Sequence, residues 1–286
     1  MPGVRDIKRR IRSVKNTQQI TKAMEMVAAA KLRKTQEAAV SARPYAKKLE
    51  EVLGRIVASA GETAHNLMTK RPVKSVGIIL ITADRGLAGG YNANLVRKAM
   101  LEAARFKQYE VGFITVGRKG RDFLRRRGKN IQGEFLGIKD TPTFIEAQRI
   151  AQMAVNYFLD GIYDEVHVIY QEFISPVQQR PVMKQLLPIP YSGEGKEENT
   201  EYLYEPGPEQ VLEILLPKYI NNVVYQALTE AKASEHGSRM TAMGSATDNA
   251  GEMIDKLTLS FNRARQAAIT REIAEIVGGA NALKAQ

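Results

Sequence analysis

A glycine-rich turn is the segment whose residues could most readily bind a ligand. Residues 84–92 are Asp-Arg-Gly-Leu-Ala-Gly-Gly-Tyr-Asn, and they follow an apolar run at 76–82 and precede a helical pattern. Turns in this position bind phosphate in many α/β proteins, because backbone N–H groups at a helix N-terminus attract anions. The glycine spacing matches neither the dinucleotide-binding fingerprint nor the P-loop. The sequence therefore favours a tight strand-to-helix turn capped by Asn92 or Asn94, and an α/β enzyme with a nucleotide site here is the alternative.

Side chains suited to acid–base or nucleophilic chemistry are scattered over different predicted elements, and nothing in the sequence pairs them. They are Asp122, Glu134, Glu146, Glu165, Glu172, Ser175 and Ser192. The three histidines, His65, His167 and His236, are far apart and lack metal-ligand spacing. Cysteine is absent, which excludes disulfides, thiolate catalysis and thiolate metal sites. The sequence therefore predicts no catalytic centre and no cofactor bound by this chain.

The first 60 residues have the pattern of one long helix. Their apolar stripe recurs every three or four residues and comprises Val4, Ile7, Ile11, Val14, Ile20, Met24, Val27 and Ala28. Pro44 is expected to kink the helix without ending it. At 1.5 Å per residue the helix would be roughly 85 Å long, too long to be covered by one compact domain. It needs a partner helix.

The last segment supplies that partner. Pro208 follows a Pro-Gly break and suits the first turn of a helix. Steps of four and three, the coiled-coil period, separate Ala250, Ile254, Leu257, Phe261, Ala264 and Ala268. We therefore predict a long antiparallel coiled coil formed by an N-terminal helix at residues 1–60 and a C-terminal helix at residues 208–286.

Residues 61–207 alternate between strand and helix patterns. Strands are predicted at 76–82, 111–116, 131–136, 165–174 and 182–190, and helices at 92–107, 119–127 and 143–159. Such alternation is typical of a mainly parallel sheet with helices on both faces. The last two strands lack an intervening helix and suit an antiparallel hairpin. The predicted fold class is α/β plus a coiled coil, with a central Rossmann-like globular domain.

Positive charge is concentrated in the first segment. Of the net charge of +11, residues 1–60 carry +9, whereas residues 209–286 carry −1. A basic helix implies an acidic partner, which could be nucleic acid, anionic lipid or an acidic protein surface. A second basic stretch, 118–127, favours a solvated face or a lipid-facing surface over nucleic acid, since no stacking aromatics are interleaved. A coiled-coil scaffold that binds nucleic acid stays an alternative.

Several segments resemble the γ subunit of F-type ATP synthases. The helix segment 5–33, which begins Arg-Asp-Ile-Lys-Arg-Arg-Ile and ends Ala-Ala-Ala-Lys-Leu-Arg, is similar to the N-terminal helix of that family. Segments 234–243, 246–250 and 265–273 (Arg-Gln-Ala-Ala-Ile-Thr-Arg-Glu-Ile) are similar to its C-terminal helix. The turn at 84–92 and Tyr-Leu-Tyr-Glu-Pro at 202–206 also match. The resemblance covers the whole chain in the right order.

The resemblance implies a non-catalytic rotor. One copy of the chain would stand inside three α-type and three β-type subunits, beside an ε subunit and on the membrane c-ring, and would transmit torque during proton-driven ATP synthesis. Mg-ATP and ADP would bind to the partner subunits, and no nucleic acid would be involved. The lack of a regulatory cysteine segment excludes redox control. The lack of a transit peptide favours a bacterial protein, peripheral on the cytoplasmic face of the cell membrane.

The resemblance also implies contact residues. Those expected to contact β subunits and carry torque are Arg9, Arg10, Lys22, Met24, Arg239, Arg265, Gln266 and Thr270. The other basic residues of the first helix, Arg12, Lys15, Lys31 and Arg33, are expected to face acidic segments of β. Tyr202, Tyr204 and Glu205 are expected at the foot, near ε and the c-ring. An apolar tip at 273–283 would suit rotation inside an apolar bearing surface formed by the surrounding subunits.

Overall fold

The computed structural model describes residues 4–60, 65–190, 205 and 207–284. In chain order its elements are α1 (Val4–Ala60), β1 (Ser75–Ile81), α2 (Tyr91–Arg105), β2 (Glu110–Val116), α3 (Arg118–Arg126), β3 (Ile131–Phe135), α4 (Phe144–Leu159), β4 (Glu165–Phe173), β5 (Gln179–Leu187) and α5 (Pro208–Lys284). Helices of 57 and 77 residues therefore flank an α/β segment. Pro44 lies inside α1 and Pro208 begins α5, as predicted.

The five strands form one sheet in the order β3-β2-β1-β4-β5. The first four strands pair in parallel, and β5 pairs with β4 in antiparallel orientation. The chain runs outward from β1 through β2 to β3 and then crosses to β4 on the other side of β1, so the direction switches between β1 and β4, as in doubly wound, Rossmann-like folds. The predicted fold class and the predicted hairpin are confirmed.

Alternate side chains of the central strands point to opposite faces of the sheet, and both faces are covered. Ile78 and Phe113 pack on the side of α2 and α3, against Leu95 and Leu124 among others. The other face packs on α4 and α5, with Ile79, Ile114, Ile150 and Leu216 in its core. Six consecutive residues of β1, 76–81, are buried, which explains why this strand has a continuous apolar sequence.

Two helix N-termini are built differently. At the start of α4 the Thr143 hydroxyl accepts a hydrogen bond from the backbone N–H of Glu146, and the Glu146 carboxylate accepts one from the backbone N–H of Thr143. The two bonds form a complete capping box. Helix α2 has Gly90 at its N-cap and no side-chain cap. Asn92 instead accepts a hydrogen bond from the backbone N–H of Ala83 at 3.0 Å, so the predicted asparagine cap is wrong. The Asn92 side chain ties the helix back to the end of β1.

The chain divides into two compact units, residues 28–240 and a unit that combines 1–27 with 241–286. These units differ from the three segments 1–60, 61–207 and 208–286 defined by element type, and that three-segment division stays a prediction.

Within the smaller unit, the two terminal helices pair in antiparallel orientation. The Gln18 amide donates to the carbonyl of Thr247 at 3.4 Å, and the hydroxyl oxygens of Thr21 and Thr247 lie 2.8 Å apart. Further along α1, Glu25 lies beside Gly244 at 3.6 Å, so rising numbers on α1 meet falling numbers on α5. Small and hydroxyl residues line this interface and permit close approach.

The predicted stripe on α1 is corrected at two positions. Ile20 and Val27 are 59% and 54% exposed, whereas Thr21 is buried. Steps of three and four separate positions 20, 24 and 27, and they also separate positions 21, 24 and 28. Spacing alone therefore does not decide which of the two sets faces the partner helix. The hydrogen-bonded Thr21–Thr247 pair turns Thr21 inward and leaves Ile20 on the surface.

Candidate functional site

The polar side chains of the glycine-rich turn bond to other turns of the same chain. Asp84 accepts hydrogen bonds from the backbone N–H groups of Arg118 at 3.1 Å and Gly137 at 3.0 Å. The Thr82 hydroxyl donates to the Val116 carbonyl and accepts from the Gly120 N–H at 2.8 Å. These bonds join the connections that follow β1, β2 and β3 at the carboxyl edge of the sheet. The turn is therefore a structural junction.

One glycine at this junction is required by geometry. Gly117 has a φ of 92°, and a Cβ there would overlap the carbonyl of Thr82. By contrast, Leu87 adopts a φ of 60° although it is not glycine, and its side chain is 62% exposed. A left-handed conformation at such a residue costs roughly 1–2 kcal/mol. The surrounding turn therefore imposes the Leu87 conformation.

Helix α5 crosses the carboxyl edge where doubly wound sheets usually bind ligands. The Tyr91 hydroxyl donates to the Ala231 carbonyl at 3.1 Å, and the Ser234 hydroxyl donates to the Gln171 carbonyl at 3.0 Å. Arg239 donates to the carbonyl of Gly86 in the turn itself, at 3.3 Å. Because α5 occupies this edge, the geometry disfavours the alternative of a nucleotide site.

A buried cluster of charges lies on the same part of α5. Glu235 pairs with Lys232 at 3.1 Å and with Arg239 at 2.8 Å, and all three side chains are at least 88% buried. Burial opposes ionisation of Glu235, but the two cations outweigh it and lower the pKa of the carboxyl group. The spacing of Lys232, Glu235 and Arg239 along the helix is the one signal in the sequence that could have indicated this cluster.

His236 adjoins the cluster and faces the connection between β3 and α4. Burial lowers the pKa of its imidazole from 6.5 to about 4, although Glu235 and Asp140 act in the opposite direction. Its Nδ1 lies 3.4 Å from Arg239, which can only donate, so Nδ1 is the acceptor and Nε2 carries the proton. Nε2 lies 3.4 Å from Asp140 without forming a hydrogen bond to any described residue.

Asp140 also binds the first helix. Lys31 of α1 pairs with its carboxylate at 2.8 Å. Burial opposes ionisation of Asp140, but the hydrogen bond from Lys31 helps to lower the pKa of this carboxyl group. Lys31, predicted to face a partner, therefore has a partner within the chain, and Asp140 lies between α1 and α5.

The predicted contact residues of α1 lie mostly on the surface. Arg9 and Arg10 are exposed, and Arg9 pairs with Asp6 at 2.9 Å. Lys22 is exposed and pairs with Glu25 at 3.2 Å, whereas Met24 is half-buried. Such exposed ion pairs contribute about 0–1 kcal/mol and exchange readily for others. Their contact role stays a prediction.

The predicted contact residues of α5 fall into two groups. Arg265, Gln266 and Thr270 are exposed, and the Thr270 hydroxyl donates to the Gln266 carbonyl at 2.9 Å. Arg239 is only 12% exposed at its side chain and is bonded to Glu235 and to the glycine-rich turn. Its contact with a partner stays a prediction, and in this structure its guanidinium is held inside the chain.

The apolar tip and the foot residues are described in part. All residues from 265 to 278 are exposed, including Ile273 at 56% and Ile276 at 66%. Glu205 is exposed, while Tyr202 and Tyr204 lie outside the described residues.

The described part of the chain offers neither a metal site nor a membrane span. No group of three or more His, Asp or Glu residues there could hold a metal ion. No helix in this part of the chain is long and apolar enough to span a membrane.

The class of protein follows from comparison with known families. A family model described as ATP synthase matches residues 3–283, so the class is that of ATP synthase subunits. The chain belongs to the ATP synthase gamma-chain family. It is 57% identical to the ATP synthase gamma chain of Moorella thermoacetica, over 99% of this chain and 100% of the relative. It is 56% identical to the gamma chain of Heliobacterium modesticaldum, with the same coverage of both chains.

Solved structures agree with this assignment. A chain from the central stalk and c-ring of Tetrahymena thermophila mitochondrial ATP synthase is 26% identical, with a TM-score of 0.61 over 79% of this chain and 99% of that chain. A chain from Euglena gracilis mitochondrial ATP synthase has a TM-score of 0.70 over 99% of this chain and 95% of that chain. At 20% identity the latter supports the fold alone.

Proposed function

We propose that the chain is the central-stalk rotor subunit of a bacterial F-type ATP synthase. It transmits torque between a membrane c-ring and catalytic β subunits while protons cross the membrane. One copy contacts three α-type and three β-type subunits and an ε subunit at the cytoplasmic face of the membrane. Mg-ATP and ADP bind to the partners, and this chain forms or breaks no bond. The observation that carries the proposal is the 57% identity to a gamma chain over nearly the whole length.

The pairing of the helices supports a torque-bearing role. Two helices that are hydrogen-bonded across a close interface, as at Gln18, Thr21 and Thr247, resist twisting better than a single helix. Small residues on α5, Gly244 and Gly251, allow this approach at a cost of about 1 kcal/mol each in helix propensity.

The exposed end of α5 supports a contact role. Arg265, Gln266 and Thr270 present polar groups to solvent, beside exposed isoleucines. A partner that surrounds this end would meet few directional donors and much aliphatic surface. Such a surface can rotate against the partner subunits and still form hydrogen bonds with them at a few polar positions.

The test is assembly and rotation with α-type and β-type subunits. We expect co-expression to give an ATP-hydrolysing complex that contains one copy of this chain, measured by native mass spectrometry. Replacing Arg265, Gln266 and Thr270 with alanine should lower the torque in single-molecule rotation or the yield of complex.

A matched control lies two to seven residues before Arg265 on the same helix. Thr258, Asn262 and Arg263 are exposed, and the Thr258 hydroxyl also donates to the carbonyl four residues earlier. Their triple alanine variant removes the same kinds of group. Equal torque and yield for the two triple variants would reject the proposed role of the 265–270 residues, whereas failure of wild-type assembly would reject the rotor function.

A further inference from the structure

The amino edge of the sheet carries a large excess of positive charge. This edge is formed by the segments that lead into the four parallel strands, residues 70–74, 105–110, 125–130 and 159–164. Together they contain nine Lys or Arg and three Asp or Glu, a net formal charge of +6. The segments at the carboxyl edge, 82–90, 117–119, 136–143 and 174–178, contain four basic and two acidic residues, a net of +2.

One of the three acidic groups at the amino edge is bonded within the chain, whereas Glu110 and Asp160 are exposed. Asp164 accepts hydrogen bonds from the backbone N–H groups of Lys74 and Ser75 at 2.9 and 3.0 Å, and it pairs with Arg71 at 3.2 Å. Exposed arginines at this edge that pair with acidic side chains are Arg105, with Glu102, and Arg125, with Glu134. The other basic side chains that reach solvent here are Lys70, Lys74, Lys107, Arg126, Arg127 and Lys129. Their charge is therefore available to an anionic partner.

Aliphatic side chains are exposed at the same edge. Leu159 is 49% exposed and Ile162 is 44% exposed, both in the segment between α4 and β4. Segments that lie on a membrane surface combine exposed Lys and Arg with apolar side chains that enter the headgroup region. The amino edge has both components.

We propose that the amino edge of the sheet binds an anionic phospholipid surface. A protein partner is a poorer fit, because lysine is depleted at protein–protein interfaces relative to the rest of the surface. Single-stranded nucleic acid is also a poorer fit, since Phe106 of this edge stacks on His167 rather than facing outward. Diffuse charge spread over several loops suits a field of lipid headgroups.

This proposal adds a lipid contact to the proposed rotor function. It rests on that function in one respect, because a subunit beside a membrane ring lies near lipid headgroups. Each basic residue near an anionic bilayer increases binding by about fivefold. The attraction is screened by salt, with a Debye length of about 10 Å at 0.1 M.

The first test compares two charge-matched variants of the full chain. One replaces Lys70, Lys74, Lys107 and Lys129 with glutamine, and the control replaces four exposed lysines on the long helices, Lys8, Lys34, Lys47 and Lys256. Binding to vesicles of equal parts phosphatidylglycerol and phosphatidylcholine is measured by co-sedimentation. We expect the edge variant to lower the partition coefficient at least about tenfold more than the control.

Three outcomes would overturn the proposal. The wild-type chain could fail to bind the anionic vesicles, or the two variants could lose binding equally, which would mean that binding follows net charge alone. A duplex DNA titration supplies the third, because an equal loss of DNA and vesicle binding in the edge variant would show a general polyanion site.

The second test uses the absence of tryptophan from the chain. An Ile162→Trp variant places a fluorophore at the amino edge, and Val177→Trp places one at a 79% exposed site at the carboxyl edge. With phosphatidylglycerol vesicles, the emission of Ile162→Trp should shift to the blue and that of Val177→Trp should not. A shift in both variants or in neither would contradict lipid contact at this edge. Because both tests use the isolated chain, their failure leaves the assembly test of the rotor function unaffected.

Discussion

Replacing His236 with glutamine should reduce the stability that this protein loses in mild acid. The imidazole is 1% exposed at its side chain and faces Lys232, Glu235 and Arg239 on α5 and Asp140 on the β3–α4 connection. Its pKa falls from 6.5 to about 4 on folding, because burial disfavours the charged ring. The folded chain therefore resists a proton that the unfolded chain accepts between about pH 6.5 and pH 4.

The size of the effect follows from the shift. A fall of about 2.5 pH units corresponds to about 3 kcal/mol, since each unit is worth 1.36 kcal/mol. This stability is fully present above pH 6.5 and is lost as the pH falls through the folded value. Between pH 7.5 and pH 5 the wild-type chain should lose about 2 kcal/mol through this group alone.

The assay is urea unfolding of the full chain at a series of pH values, compared with His236→Gln. Burial lowers the pKa of His65 as well, so only the difference between the two proteins isolates His236. We expect the free energy of unfolding of the variant to depend less steeply on pH, by about 2 kcal/mol over this range. Equal slopes, or an NMR titration of His236 with a midpoint near 6.5, would refute the reasoning.

Three further predictions concern packing and charge, each measured as a change in the free energy of unfolding in urea. Glu235→Gln should cost about 3–5 kcal/mol, because it leaves two buried cations uncompensated, and a loss below about 1 kcal/mol would argue that water reaches them. Gly112→Ala should cost about 1–3 kcal/mol, since the added Cβ would overlap the Tyr163 hydroxyl and lie 2.9 Å from its ring. In a Tyr163→Phe background this cost should fall, and strictly additive free-energy changes for the two substitutions would contradict the clash. Thr143→Ala should cost about 1 kcal/mol through loss of the α4 cap, and no change would mean that Glu146 holds the terminus without it.

The strands and helices of the central domain could be predicted because their patterns are local. The apolar run at 76–82 gave β1 to within one residue at each end. Strand β5 begins and ends three residues before the predicted range 182–190, and it includes Pro181. Proline is tolerated there since β5 is an edge strand and pairs only with β4.

The candidate site was less predictable, because its bonds join residues far apart in sequence. Asn92 has the sequence of a helix cap, yet its partner is the N–H of Ala83 at the end of the preceding strand. The contact between Arg239 and the Gly86 carbonyl spans 153 residues, so the spacing to Glu235 can indicate the ion pair but no local pattern indicates the contact with the turn. Only three-dimensional packing distinguishes it from Arg265, which has the same charge and lies on the same helix.

That distinction has a mechanical meaning for α5. Residues 231–239 are bonded to the sheet and its turns through Tyr91, Gln171 and Gly86, and burial makes each of these bonds costly to break. Residues 265–278 are all exposed, so contacts that they make with a partner can be exchanged for contacts with water. A helix that transmits torque needs both properties. In the proposed rotor, the segment that receives force from the globular domain must not slip, whereas the segment proposed to contact other subunits must be able to release them. In this chain the first property is provided by buried hydrogen bonds and charges, and the second by an exposed surface on which few groups are held in place.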